Sequence, residues 1–247
     1  MTEAVTYESR NRIAIITINR PKQMNAIDNQ VEIELAEAWL RFNASEDRVA
    51  VLTGAGDRAF SAGRDRDAEG IPEYRKFAPS VDITVEKPVI AAVAGWCIGG
   101  ALTLVQMCDL CVATEDAKFS YPEAKLGFAG GLVAGLAVRI PHKVAMELML
   151  LGEPIDAQRA YQVGFVNRLV PPGQHLTEAL KIAEQLANNA PLVLGMLKHF
   201  VSNTLPKGPV ERAAEAARVT DGVFGSEDYR EGKASMREKR TPKFTGR

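Results

Sequence analysis

At 247 residues the chain suits one or two domains and is long enough to bury a large core. A composition of 46% hydrophobic and 25% charged residues places it with soluble globular domains, and a formal net charge of −1 gives no global field for nucleic acid or an anionic membrane. Three cysteines, Cys97, Cys108 and Cys111, lie in apolar surroundings. Odd in number, they read as reduced packing residues, and the C-x-x-C of Cys108 and Cys111 has no second pair or nearby histidine. MTEAVTYESRNR lacks the apolar stretch of a signal peptide, so the expected location is the cytoplasm.

Residues 5–8 and 13–18 read as a hairpin turning at 9–12. Asp28 suits the N-cap of a helix with apolar residues at Val31, Leu35, Ala38 or Trp39, and Phe42. Residues 48–53 read as a buried strand, followed by the glycine-rich loop GAGDRAFSAGRD and a charged stretch, 65–76, expected as helix or mobile loop. GAGDRA fits the dinucleotide pattern G-x-G-x-x-A, but no helix follows to receive a pyrophosphate. A loop presenting the Ala62, Gly63 and Arg64 backbone to a ligand is the preferred reading.

Residues 89–108 are twenty uncharged positions, long enough for a membrane span, but Gly95, Gly99 and Gly100 divide them into strand, turn and buried helix. Two adjacent glycines at a helix start let a ligand approach the backbone, and the free N–H groups there favour developing negative charge. Downstream, Glu123 stands in FSYPE among aromatic and apolar residues. An amide pocket for an oxyanion plus a carboxylate base is the equipment for moving a proton beside a carbonyl. Strands are expected at 110–113 and 165–170, and helices at 144–151, 157–163 and 176–190. A boundary near 189–191 divides a β-containing core, 1–190, from a helical region, 191–247. His142, His175 and His199 have no ligand spacing, so no metal site is expected, and no G-x-S-x-G elbow is present.

NRPKQMNA, AFSAGRD, GWCIGGALTLVQMCD, FSYPEAKLG, LLGEPIDAQRAYQVGFVNRLV and EGKASMREKRTPKF, in this order, resemble the crotonase (enoyl-CoA hydratase/isomerase) superfamily over essentially the whole chain. The resemblance implies an α/β fold, a crotonase-like spiral of β-β-α repeats with a C-terminal helical trimerisation region. It implies acyl-CoA substrates, coenzyme A entering only as part of the thioester with no permanently bound cofactor, and a homo-oligomer, a trimer or dimer of trimers. An oxyanion hole maps onto the N–H groups of Arg64 and Gly100. Glu123 matches the glutamate of the family's P-E motif. Ala62, Gly63 and Asp65 map onto the substrate-binding loop, and 65–79 and 128–132 onto the acyl pocket.

Family hydratases carry a further glutamate where this chain has Thr103. One carboxylate suffices to move a proton between carbons, so a Δ3-Δ2-enoyl-CoA isomerase is the leading expectation. A hydratase using a single glutamate, with Thr103 holding water, is the alternative. Gly131, eight positions past Glu123, excludes the extra acid of a dienoyl isomerase. Arg64 stands where relatives have a small residue; its side chain is expected to close over the pocket or to pair with a substrate acid group. Residues 230–247 hold seven Lys or Arg and two Glu. They read as a solvated face, a contact for CoA phosphates, or the RNA-binding surface of a homologue without catalysis. Near-neutral charge and the lack of interleaved aromatics argue against the last, so neither nucleic acid nor membrane is an expected partner. Leu192, Leu194, Leu197, Phe200 and Val201 are too many for one exposed face and point to an interface.

Overall fold

A computed structural model describes residues 3–128 and 130–247. Met1, Thr2 and Ala129, the last within the 128–132 loop expected to line the acyl pocket, lie outside the described residues. Strands β1 (Val5–Arg10) and β2 (Ile13–Ile18) form the expected hairpin, with Val5 opposite Ile18. Its turn places Asn11 and Arg12 at φ 52° and 64°. β1 runs two residues past its sequence pattern because Ser9 and Arg10 still pair with Ala14 and Ile13. Helix α1 (Asn29–Ala44) starts where the Asp28 carboxylate accepts the Val31 N–H at 2.9 Å, and it buries Val31, Leu35, Ala38, Trp39 and Phe42.

Each following turn of chain gives one strand to each of two sheets. The first sheet runs β1-β2-β3-β5-β7-β10, with β3 (Val49–Gly54), β5 (Val89–Val93), β7 (Leu110–Thr114) and β10 (Arg168–Val170), parallel throughout except at the hairpin. The second runs β4-β6-β8-β9, with β4 (Ala59–Ser61), β6 (Trp96–Ile98), β8 (Lys118–Ser120) and β9 (Ile155–Asp156). The pairs β3/β4, β5/β6 and β7/β8 are the repeats of the β-β-α spiral. Strands β4, β6 and β8 have three residues each, too few to show alternation in sequence.

The first sheet is covered on both faces, which is why its strands read as continuous apolar runs. Helix α7 (His175–Asn188) packs Ala179, Ile182 and Ala183 against Val49, Val51, Ile90 and Val112. The alternate residues Ala50, Leu52, Ala91 and Val93 join Trp39, Phe42 and Leu102 in the main core. The uncharged run 89–108 resolves into β5, β6 and α3 (Gly100–Met107), and no described helix is long and apolar enough to cross a membrane. The cysteines are free; Cys97 and Cys111 are buried, and burial pushes both thiols up, as packing residues require. Helices α8 (Pro191–Thr204), α9 (Pro209–Phe224) and α10 (Glu227–Glu238) follow. Lys198 holds Asp109 at 2.7 Å, and Glu211 holds Arg139 at 3.1 Å, tying these helices to the strands and turns before them.

Candidate active site

The site forms where β4 and β6 end side by side. After β4, Gly63 adopts φ +81°, and the loop is pinned on both sides of Arg64: Ile27 N–H donates to Gly63 O at 2.8 Å and Asp65 N–H to Ile27 O at 2.9 Å. After β6, Gly99 adopts φ +59° and donates its N–H to Ser120 O at 2.8 Å, which turns Gly100 into the first residue of α3. A Cβ on Gly63 would lie 3.4 Å from Gly100 N, so the two loops meet backbone to backbone. Among the described residues, neither the Arg64 N–H nor the Gly100 N–H donates a hydrogen bond. Two free amides, one at the positive end of a buried helix, have the donors and the field that can receive an anion.

Glu123 opens the short helix α4 (Glu123–Leu126) after Pro122. Its carboxylate fills the space that a side chain on Gly99 would take: a Cβ there would sit 2.6 Å from Glu123 Oε1. The segment is braced from both sides. Tyr121 donates its hydroxyl to Gly130 O at 3.0 Å, and Gly152, capping helix α5 (His142–Leu151), lies under Pro122. Glu123 Oε2 is buried with no hydrogen-bond partner, and desolvation pushes the carboxyl up to about 7. Both protonation states are therefore populated near neutrality, the condition for one group to act as base and then as acid.

A residue that sequence reading passed over shares this space. The charged stretch after Arg64 is irregular except for α2 (Tyr74–Phe77), which Trp39 anchors by donating its indole N–H to Phe77 O at 2.8 Å. The Tyr74 and Phe77 ring centroids are 4.9 Å apart, and the phenol lies across Gly100, where any Cβ would fall within its ring. The Tyr74 hydroxyl is buried and unpartnered. Burial first, then the negative charge of Glu123, pushes its pKa up. The available signal was the spacing of Tyr74 and Phe77, two rings three residues apart amid charges.

The other expected residues surround this corner in less direct ways. Thr103 is buried and donates its hydroxyl to Gly100 O at 2.7 Å, so its proton is spent inside α3 and only lone pairs remain. The Asp65 carboxylate is held by Arg20 at 2.7 Å, which also pairs with Asp28 at 3.1 Å; this hydrogen bond keeps Asp65 below the usual carboxylate range. Asp65 thus braces the loop through its side chain. Ala62 donates its N–H to Met24 O at 2.9 Å. The Arg64 guanidinium binds Glu32 and the Glu69 carbonyl, so an ion pair with α1 holds its side chain beside the loop. Asn25, buried, donates to Ala55 O at 3.0 Å and Ala59 O at 2.7 Å, fixing the path from β3 to β4. Among the described residues no group of three or more His, Cys, Asp or Glu could hold a metal ion.

A family model described as enoyl-CoA hydratase/isomerase matches residues 8–247. The chain belongs to this family. Among its relatives is the (E)-benzylidenesuccinyl-CoA hydratase of Thauera aromatica, 36% identical over 98% of this chain and 99% of that protein. The carnitinyl-CoA dehydratase of Escherichia coli strain K12 is 36% identical over the full length of both. The crystal structure of a probable enoyl-CoA hydratase/isomerase from Mycobacterium abscessus superposes with a TM-score of 0.77 at 39% identity, covering 100% of each chain. The architecture is accordingly the crotonase fold, and the protein is an enzyme of a family that acts on CoA thioesters.

Proposed function

We propose that this enzyme adds water across the C2–C3 double bond of a 2-enoyl-CoA, and removes it in reverse, with Glu123 as the single proton carrier. The carboxylate takes a proton from water as the water oxygen bonds to C3. The π electron pair moves toward the thioester, whose oxygen is received by the N–H groups of Arg64 and Gly100. The neutral acid then returns its proton to C2, which consumes one water and regenerates the carboxylate. The observation that carries this reading is the buried, unpartnered Oε2 of a glutamate held near neutrality. Relatives named as a hydratase and a dehydratase favour water chemistry over double-bond migration.

The second reading, Δ3-Δ2 isomerisation, is supported by Thr103 in place of another carboxylate: Glu123 would remove the C2 proton and deliver it to C4. A panel of 2- and 3-enoyl-CoA thioesters in deuterated water, read by mass spectrometry, separates the two. Hydration adds the mass of heavy water; migration adds no oxygen, and any mass gain is deuterium that has exchanged onto the Glu123 carboxyl. A non-catalytic RNA-binding role finds less support, because Arg240 of the basic run is bound to Glu231 at 2.8 Å.

In the same reading coenzyme A is present only as part of the substrate, Ala62 and Gly63 shape its binding loop, and the free thiols suit the cytoplasm. Residues 1–190 form the catalytic core, and 191–247 the helical region through which chains associate as a trimer or dimer of trimers. Supporting this, α8 leaves Leu192 88%, Leu197 51%, Phe200 59% and Val201 55% exposed.

A further inference from the structure

Two side-chain oxygens in this site are buried without partners: Glu123 Oε2 and the Tyr74 hydroxyl. Buried polar groups are nearly always satisfied, so a pair of orphans at one place calls for a molecule that satisfies both. Their positions are set by neighbouring residues: Glu123 fills the space beside Gly99, and the Tyr74 phenol lies across Gly100. Glu123 also acts electrostatically on the phenol, as do Glu32 and Arg64, so the carboxylate and the hydroxyl lie within reach of each other's field. Thr103, the residue at the missing carboxylate's position, has its proton engaged by Gly100 O. Its hydroxyl is therefore poorly placed to donate to water.

We propose that Tyr74 is a catalytic residue whose hydroxyl holds the oxygen added to, or removed from, C3, bridging that oxygen to Glu123. This rests on the hydration reading above. The phenol donates its proton as a hydrogen bond and keeps it throughout. Its task is to fix one lone pair of the water, so that another meets C3 while a water proton faces Glu123. In the reverse direction the same bond steadies the departing hydroxyl of a 3-hydroxyacyl-CoA as Glu123 protonates it.

The test is Tyr74→Phe, which removes one oxygen and keeps the ring over Gly100. Two rates are measured on both proteins: hydration of a 2-enoyl-CoA, and exchange of the C2 protons of a saturated acyl-CoA with deuterated water. Exchange needs Glu123 and the amide pair but no oxygen at C3. The expected result is a roughly 10–100-fold loss of hydration kcat, the scale of one hydrogen bond in a charged site, with exchange within about threefold of wild type. Thermal unfolding of the ligand-free variant should not move downward, because the hydroxyl has no partner to lose. Unchanged hydration overturns the proposal, and so does an equal loss of both rates, which would make Tyr74 a packing residue. A lower unfolding temperature would show that the hydroxyl is already bonded within the folded protein, and would also overturn it. Wild-type protein that exchanges C2 protons but hydrates nothing overturns the hydration reading, and this proposal with it; hydration intact in the variant overturns the proposal alone.

Discussion

Replacing Glu123 by Gln should separate activity from stability in opposite directions. Gln keeps the shape but cannot take up a proton, so turnover should fall by about 10²–10⁴, the usual scale of general acid–base catalysis. The stability effect follows from burial. The wild-type carboxyl is raised from 4.5 to about 7 by desolvation, so the folded protein keeps a proton that the unfolded chain has already lost. Its folded pKa is the higher one, so wild-type stability declines as pH rises from about 4.5 to about 7 and then levels. Such a shift is worth at most ~3 kcal/mol, and partial exposure of the residue reduces that to about 1–2 kcal/mol. Glu123→Gln lacks this slope. Its unfolding temperature should exceed wild type at pH 8 and converge with it near pH 4.5. Calorimetry at the two pH values, with hydration of a 2-enoyl-CoA measured at pH 7, tests both halves. Near-normal turnover would remove Glu123 as the proton carrier, and a variant less stable than wild type at pH 8 would show that its burial does not destabilise the carboxylate.

Gly99→Ala must place a Cβ 2.6 Å from Glu123 Oε1 on a backbone at φ +59°, so it should lose at least about 100-fold in turnover and about 1–3 kcal/mol of stability. Wild-type kinetics from that variant would remove Glu123 from the role assigned to it. Thr103→Glu restores a second carboxylate at a position only 3% exposed, at a cost of about 1–3 kcal/mol in overpacking. In the folded variant the ratio of hydrated to migrated product should rise, and an unchanged ratio would show that position 103 does not face the acyl group. The proposed association through α8 predicts that wild type sediments as an oligomer and that Phe200→Asp sediments as folded monomers, because Phe200 is 59% exposed there; an intact assembly in the variant would place the interface elsewhere.

Long apolar-periodic segments could be read from the sequence because a single face decides them. α1 announces itself by Asp28 and the spacing of Val31, Leu35 and Phe42, and β5 by its β-branched run. The second sheet was hidden because Ala59–Ser61, Trp96–Ile98 and Lys118–Ser120 are held by pairing with one another, a tertiary effect that three residues cannot display. Glu123, Gly63 and Gly100 were visible through motifs whose residues perform local work at turns. Tyr74 was not, since its burial depends on Trp39 holding α2 down from a distant helix. The ion pairs of Arg64 and Asp65 were not legible for the same reason. Their partners, Glu32 and Arg20, lie on other segments, and only folding reveals that those charges are already paired.

In the proposed reaction one glutamate beside two free amides adds water to an enoyl thioester. The most direct measurement is incubation of the wild-type enzyme with a 2-enoyl-CoA in deuterated water enriched in oxygen-18, followed by mass spectrometry of the acyl product. The expected product is a 3-hydroxyacyl-CoA carrying heavy oxygen at C3 and one deuterium at C2. A product with a shifted double bond and no heavy oxygen, with or without deuterium, would contradict it.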